Sequence, residues 1–445
     1  NRLKNTWMAL VCALSFTASG QIGSYLGPGV LSGGAGDIGT RSGAQVDLRY
    51  YFDVTGVYDT GLQPFAINSK GDLVQINGLY GVQADVGLYG THRWRQAALG
   101  IDFIGNFYDY ANSSSFNGSS VNLTLGYSYQ QSRRLVYDMR VIGGTSSLGY
   151  GAPGFYGTTS ATGTSVVNTP TSLLFDSRVY YLEPTMDMTF IQTARTSYTI
   201  GGEGYFIRRE ASGLASMNGY NLHGTIQHRV TKNQTIGVTY AHIHYDFPPG
   251  FGQSDMNTAQ LTFATSIGRR WTLNVGAGAT QAEVQGIQQV NLNPVVAALL
   301  GVSFGQQTFY REDFYPAGRL ILSGHFKTYS IGLSAAQSIA PGNGVYLTSN
   351  QQTANANYSY TGIRKWNFGL NAGYNKLAGI GQGIQNYAGY GGGVGITYSL
   401  TRALHIIARG DTRYQQIDVV GYNRTGYRAS IGLGFSPGSV PLSLW

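Results

Sequence analysis

Several short patterns in this chain have spacings that chemistry could use. Gly34-Ala-Gly36-Asp-Ile-Gly39 satisfies G-x-G-x-x-G. A dinucleotide site of that form needs a strand before it and a helix after it, so that the helix N-terminus meets the pyrophosphate. Thr40-Arg-Ser-Gly43 runs instead into a strand pattern, so the match carries no nucleotide chemistry. Gly434-Phe-Ser436-Pro-Gly438 satisfies G-x-S-x-G. A hydrolase of that type uses the backbone N–H after the nucleophile in its oxyanion hole, and Pro437 has none. His242-Ile-His244 would place two imidazoles on one strand face beside Ile236, Val238 and Tyr240. Zinc takes three or four protein ligands, and no third is in reach of the pattern. No enzyme, metal or other cofactor is expected from these motifs.

The remaining candidates are charges at period-two spacing. They are Asp47, Arg49, Asp85, Asp102, Asp138, Arg140, Glu183, Asp187, Glu203, Arg229, Arg319, Arg409, Asp411 and Arg413. Both signs occur in similar numbers. Such a set can form cross-strand ion pairs that stiffen a wall, or a selectivity field for a passing solute. Arg409-Asp411-Arg413 is the best local cluster, and no run of one sign reaches the strength of an ion-specific ring. Either chemistry requires elements that hold all these side chains on one face.

The composition says which elements those are. The chain has 445 residues, of which only 11% are charged, against about 25% in an ordinary soluble protein. It carries 64 glycines and 33 tyrosines. A surface this poor in charge argues against a solvated globule of this size. After the N-terminus no apolar run approaches the ~20 residues of a spanning helix. What remains is a β-protein whose apolar residues are diluted with Gly, Asn, Ser and Thr.

Residues 1–20 read as an export signal. Arg2 and Lys4 are basic, Trp7 to Phe16 is apolar, and Ala18-Ser19-Gly20 offers small residues for cleavage after Gly20. The single cysteine, Cys12, lies inside this segment, preceded by Val11 rather than a small residue, which disfavours a lipid anchor. The exported chain would then have no disulfide and no thiolate ligand. Its formal charge would fall from +8 to +6 with the loss of Arg2 and Lys4. Residues 21–43 read as a flexible Gly-rich lead on the periplasmic side, and 44–445 as one β-domain.

That β-domain repeats a period of two. In Trp366-Asn-Phe368-Gly-Leu370-Asn-Ala372-Gly-Tyr374 every even position is apolar and every odd one is Asn or Gly. Strand side chains alternate faces, so one face is greasy and the other small and polar. The pattern recurs at Val121–Tyr129, Trp271–Ala279, Tyr329–Ala335 and Tyr427–Phe435. Eighteen strands are expected, near 44–58, 78–90, 96–110, 119–130, 134–146, 178–190, 197–209, 217–230, 234–247, 255–267, 270–284, 316–326, 328–338, 351–361, 365–376, 386–400, 403–416 and 425–436 (sixteen is the alternative count). Connections between them alternate strictly short and long. Apolar faces edged with aromatics, an even count and alternating loop lengths describe a transmembrane antiparallel up-and-down barrel, all-β, with both termini on the short-turn side. In such a barrel a base facing lipid near midplane costs about 2–4 kcal/mol, so the charges above must point inward.

The segment 44–445 resembles an outer-membrane β-barrel of a Gram-negative cell, and Trp445 resembles the aromatic C-terminus of that class. Pro341-Gly-Asn-Gly-Val-Tyr346 and Phe435-Ser-Pro-Gly438, running into Pro441-Leu-Ser-Leu-Trp445, are similar to barrels of this kind. Pro437-Gly438 departs from the pattern by interrupting the last strand. The resemblance implies a porin-like channel for small hydrophilic solutes, in contact with outer-membrane lipid and lipopolysaccharide. The alternative is the outer-membrane component of an exopolysaccharide export system, passing a glycan and acting with a periplasmic partner. A plugged transporter would need some 150 residues before the barrel, and a lipid-modifying enzyme a Ser/His/Asn set facing lipid; neither is expected. The basic turns Arg93/Arg95, Arg133/Arg134, Arg269/Arg270 and Arg364/Lys365 are scattered over separate hairpins and suit headgroups, not nucleic acid.

Within the longest loops, Asn293-Pro294-Val295 to Leu299-Leu300-Gly301 has an N-cap residue, a proline suited to the first turn and a closing glycine. It predicts a two-turn apolar helix, either sealing the outer rim or folded inward as a constriction. The Gly/Ser/Thr-rich loop 147–177 could fold inward equally well.

Overall fold

The computed structural model describes residues 46–60, 66–67, 73–74, 78–111, 117–146, 178–210, 214–248, 251–291, 304–341, 347–381, 386–417 and 422–436. The export segment, the lead, the 293–301 helix, the loop 147–177 and the terminal Pro437–Trp445 lie outside them.

The expected eighteen strands are present. They are β1 (Val46–Asp59), β4 (Leu79–Arg93), β5 (Ala97–Tyr110), β6 (Gly118–Gln130), β7 (Leu135–Ser146), β8 (Val179–Ile191) and β9 (Thr196–Arg209). Next come β10 (Met217–Arg229), β11 (Gln234–Phe247), β12 (Gly252–Ile267), β13 (Trp271–Asn291), β14 (Phe304–His325) and β15 (Tyr329–Pro341). The last are β16 (Thr348–Tyr360), β17 (Trp366–Gly379), β18 (Tyr387–Ser399), β19 (Leu404–Ile417) and β20 (Tyr422–Phe435). Two dipeptide strands, β2 (Ala66–Ile67) and β3 (Leu73–Val74), pair only with each other in the first long connection. Every barrel strand is antiparallel to its chain neighbours. β1 pairs with β20 from Phe52↔Phe435 to Asp59↔Arg428, which closes the sheet on itself.

Closure removes the edge strands that lipid could not satisfy. The alternation then assigns the faces. On β17 the outward side reads Trp366, Phe368, Leu370, Ala372 and Tyr374, and the inward side Asn367, Gly369, Asn371 and Gly373. Rings bracket that band. Trp366 packs on Tyr398 at 4.8 Å, and eight residues higher Tyr374 packs on Tyr390 at 5.0 Å. Nine tilted residues cover roughly 23 Å, about the height of the apolar belt of a membrane barrel. The molecule is a transmembrane β-barrel.

Short turns of three to five residues join strands at one end. Several are closed by a hydroxyl that accepts from a backbone N–H three residues on, as Ser132 does from Leu135 and Thr193 from Thr196. These local turns compete with continued pairing and reverse the chain. Arg270 lies over the Phe326 ring and Lys365 over Tyr398, which puts the basic turns at this aromatic edge.

The strict alternation of loop length is corrected at the other end. β11 and β12 are joined by four residues, 248–251, as are β19 and β20 by 418–421, because the strands run past the membrane and use up loop. The largest departure is β13–β14. The 285–315 connection shrinks to 292–303, since pairing continues from Gln285↔Tyr310 to Asn291↔Phe304. The same stretch breaks the greasy alternation with Gln281, Glu283 and Gln285 facing outward, which hid it as strand.

Candidate functional site: the bore and its overlapped outer end

Twelve of the fourteen charges named from the sequence sit on the inward face, opposite the outward aliphatic side chains. Asp47 and Arg49 are on β1, where the side chains of 46–49 are outside the description. The twelve do not form one site. On β4, β5, β19 and β20, Asp85 accepts from Gln83 at 2.6 Å and from Asn106, and Arg428 donates to Gln83. On the same wall Arg409 is paired with Asp411 at 2.6 Å, and Arg413 reaches the Tyr387 hydroxyl at 3.5 Å. On β8 to β10, His223 meets Asp187 at 2.9 Å, and Tyr205 and Asn221 both donate to Glu203. Glu183 is buried beside this group. Asp102, Asp138, Arg140, Arg229 and Arg319 complete the inward set. Sequence reasoning passed over Asp53, Asp59, His223, His405, Arg424 and Arg428, which share the same parity and could have been found by extending the alternation.

The other half of the wall differs in kind. On β15 to β18 the inward residues described include no charged side chain, only Gly, Asn, Gln, Ser, Thr, Ala, Leu377 and Tyr387. Charge is thus confined mainly to β19 through β10.

The two ends of the bore differ as well. Towards the short turns inward residues such as Gln227, Thr272, Asn355 and Asn371 are partly exposed. Towards the long loops on β9 to β13 they are buried, and they change character. Inward positions on β11 run Thr235, Gly237 and Thr239, then Ala241, Ile243, Tyr245 and Phe247. With Tyr205, Met217, Met256, Val284 and Ile339 they form one buried apolar cluster.

At that end the wall overlaps itself. β14 and β15 pair from His325↔Ser330 only up to Gly318↔Gln337, then separate. Pro316, which has no N–H for either neighbour, sits just above the fork. Above it, the outward face of β15–β17 lies on the inward face of β12–β14. Thr348 shares the outward parity of Ala354 and Tyr358, yet its hydroxyl hydrogen-bonds Ser254, an inward residue of β12. Ile339 and Ile380 also have outward parity and are buried in the apolar cluster. Gly381, at φ +80°, lies against the inward-facing ring of Phe309, where a Cβ would come within 2.1 Å of the ring. Gly252 meets Leu347 in the same way. The fork opens seven residues above the aromatic edge at the short-turn end, the level of the upper ring belt on β17. Unpaired backbone there meets interface and water instead of hydrocarbon.

His242 and His244 face outward at this same end. His244 pairs with Asp255 at 2.8 Å and His242 with Asn257 at 3.1 Å. Among the described residues no group of three or more His, Cys, Asp or Glu could hold a metal ion.

No protein-family model and no curated sequence matches the chain. Among solved structures it is similar in outline to Pseudomonas aeruginosa OpdQ, at 9% identity, covering 90% of this chain and 98% of that one, with a TM-score of 0.41. Pseudomonas aeruginosa OccK2 (OpdF) in complex with glucuronate gives 10% identity, 88% and 98% coverage and a TM-score of 0.40. Acinetobacter baumannii OccAB3 gives 9% identity, 87% and 99% coverage and a TM-score of 0.40.

Proposed function

We propose that the protein is an outer-membrane channel for small hydrophilic solutes, held shut at its outer end by the overlapped β15–β17 wall. The observation that supports this most is the pairing of an unbroken apolar belt outside with a polar face inside, over eighteen strands. A barrel of 16–18 strands is wide enough for an aqueous bore. Solute entering from the short-turn end meets amides, hydroxyls and balanced charge, none of which binds so strongly that release would fail. Passage then requires the overlap to lift, breaking the Ser254–Thr348 hydrogen bond and opening the apolar cluster.

The test is a Ser254→Cys/Thr348→Cys pair in planar bilayers. Oxidation is expected to lock the channel shut, and reduction to restore openings, while each single cysteine conducts equally under oxidising and reducing conditions. Equal conductance in the oxidised and reduced pair, once mass analysis shows the disulfide formed, overturns the closing role. Absence of any solute-permeable state in the parent overturns the channel.

A further inference from the structure

We infer that the uncharged wall of β15–β18 is a binding site for neutral polyhydroxylated solutes, that is, mono- or oligosaccharides without a charged group. The inference rests on the channel reading for its purpose and on its own observations for its chemistry. Asn357 on β16 and Asn371 on β17 are direct cross-strand partners, and Asn355 and Asn375 flank them on the same inward face. Three of the four amides lie against a glycine of the neighbouring strand. A Cβ at Gly332 would run into the Asn357 oxygen, one at Gly373 would come within 3.1 Å of the Asn355 oxygen, and one at Gly393 would meet the Asp411 carboxylate first and then the Asn371 oxygen. The glycines therefore hold a row of carboxamides along the bore.

Those carboxamides are not used up by the fold. The Asn357 and Asn371 oxygens are turned onto the wall and screened from the bore, with no hydrogen-bond partner in the protein, so a solute completes them only once the amide turns outward. Asn375 is 1% exposed and its Nδ2 is likewise without a partner, while its oxygen accepts from Gln351 at 3.3 Å. A buried amide group left open costs about 1–3 kcal/mol unless water or a ligand completes it. A carboxamide offers an acceptor and two donors in one plane, and a sugar hydroxyl both donates and accepts. Adjacent hydroxyls can thus complete adjacent amides with no charge to desolvate. The wall itself carries no acid or base, and the charges at its edge, Asp411 beside Gly393 and Arg409, are spent on each other, so charge on the solute gains little there.

Calorimetry on the detergent-solubilised full chain, with maltotriose as probe and glucuronate as the charged control, tests this directly. Maltotriose is expected to bind saturably, and Asn357→Ala/Asn371→Ala to weaken it about tenfold, the loss of one to two hydrogen bonds. Asn357→Gln/Asn371→Gln should recover part of the affinity. Glucuronate is expected to bind the parent more weakly than maltotriose and to be indifferent to the alanine pair. No maltotriose binding to the parent, or equal binding to parent and alanine pair, overturns the site. A folded parent that binds maltotriose but never conducts overturns the channel and leaves the site standing; a conducting parent that fails to bind it does the reverse.

Discussion

The lower and upper halves of one strand make opposite use of the same alternation. On β11, Ile236, Val238 and Tyr240 face out while Thr235, Gly237 and Thr239 face in. A few residues higher, His242, His244 and Asp246 face out, and Ala241, Ile243, Tyr245 and Phe247 face in. β13 repeats the switch, from Trp271–Ala279 to Gln281, Glu283 and Gln285 outside, with Ala282 and Val284 inside. The lower half is built for lipid outside and water inside. The upper half is built for water outside and a packed apolar interior, as in a soluble sandwich. The height at which polarity inverts marks where hydrocarbon ends, and there the wall begins to overlap itself.

Inversion can be broken from both sides. The largest effect is expected for Val238→Arg in the lipid band, about 2–4 kcal/mol near midplane. His244→Arg, three residues up the same face, should cost under about 0.5 kcal/mol. Reversible denaturant unfolding from liposomes checks the pair; equal costs would mean that the belt continues past Tyr240. Next, and nearly as large, is Met256→Ala in the apolar cluster, expected to lose about 2–3 kcal/mol of stability locally and to raise the open probability in bilayers. The same truncation in the lipid belt, Leu261→Ala, should leave open probability unchanged. If Met256→Ala is silent in both measurements, the cluster is not a closing element.

A smaller change sharpens the overlap itself. Gly381→Ala places a Cβ at a left-handed φ and into the Phe309 ring. It is expected to cost about 1–3 kcal/mol and to release the overlap, read as faster modification of Ser254→Cys by a water-soluble maleimide. The smallest effect belongs to a turn. Thr193→Ala removes the hydroxyl that accepts from Thr196, with a loss of about 0.5–1 kcal/mol and no change in conductance.

Strand number, chain order and facing were legible because a membrane barrel writes them locally. Each residue of β17 from Trp366 to Tyr374 shows its side by type alone. An inward facing of charges such as Asp187 and Arg409 is expected on the same ground: lipid forbids the other face. Their grouping was not legible, because His223 with Asp187, or Arg428 with Gln83, depends on register between strands. Even the phase switch at Tyr240–Ala241 is visible in the chain, though it reads as more strand and says nothing of what surrounds it.

The amino-acid order by itself determined a greasy-out, polar-in ribbon repeated eighteen times, since period-two patterning acts within each strand. Only the tertiary structure decided that β14 and β15 part at Gly318 and that β15–β17 fold beneath their neighbours. Ser254 and Thr348 are 94 residues apart, and no local preference can report a contact made only when the sheet closes and overlaps itself.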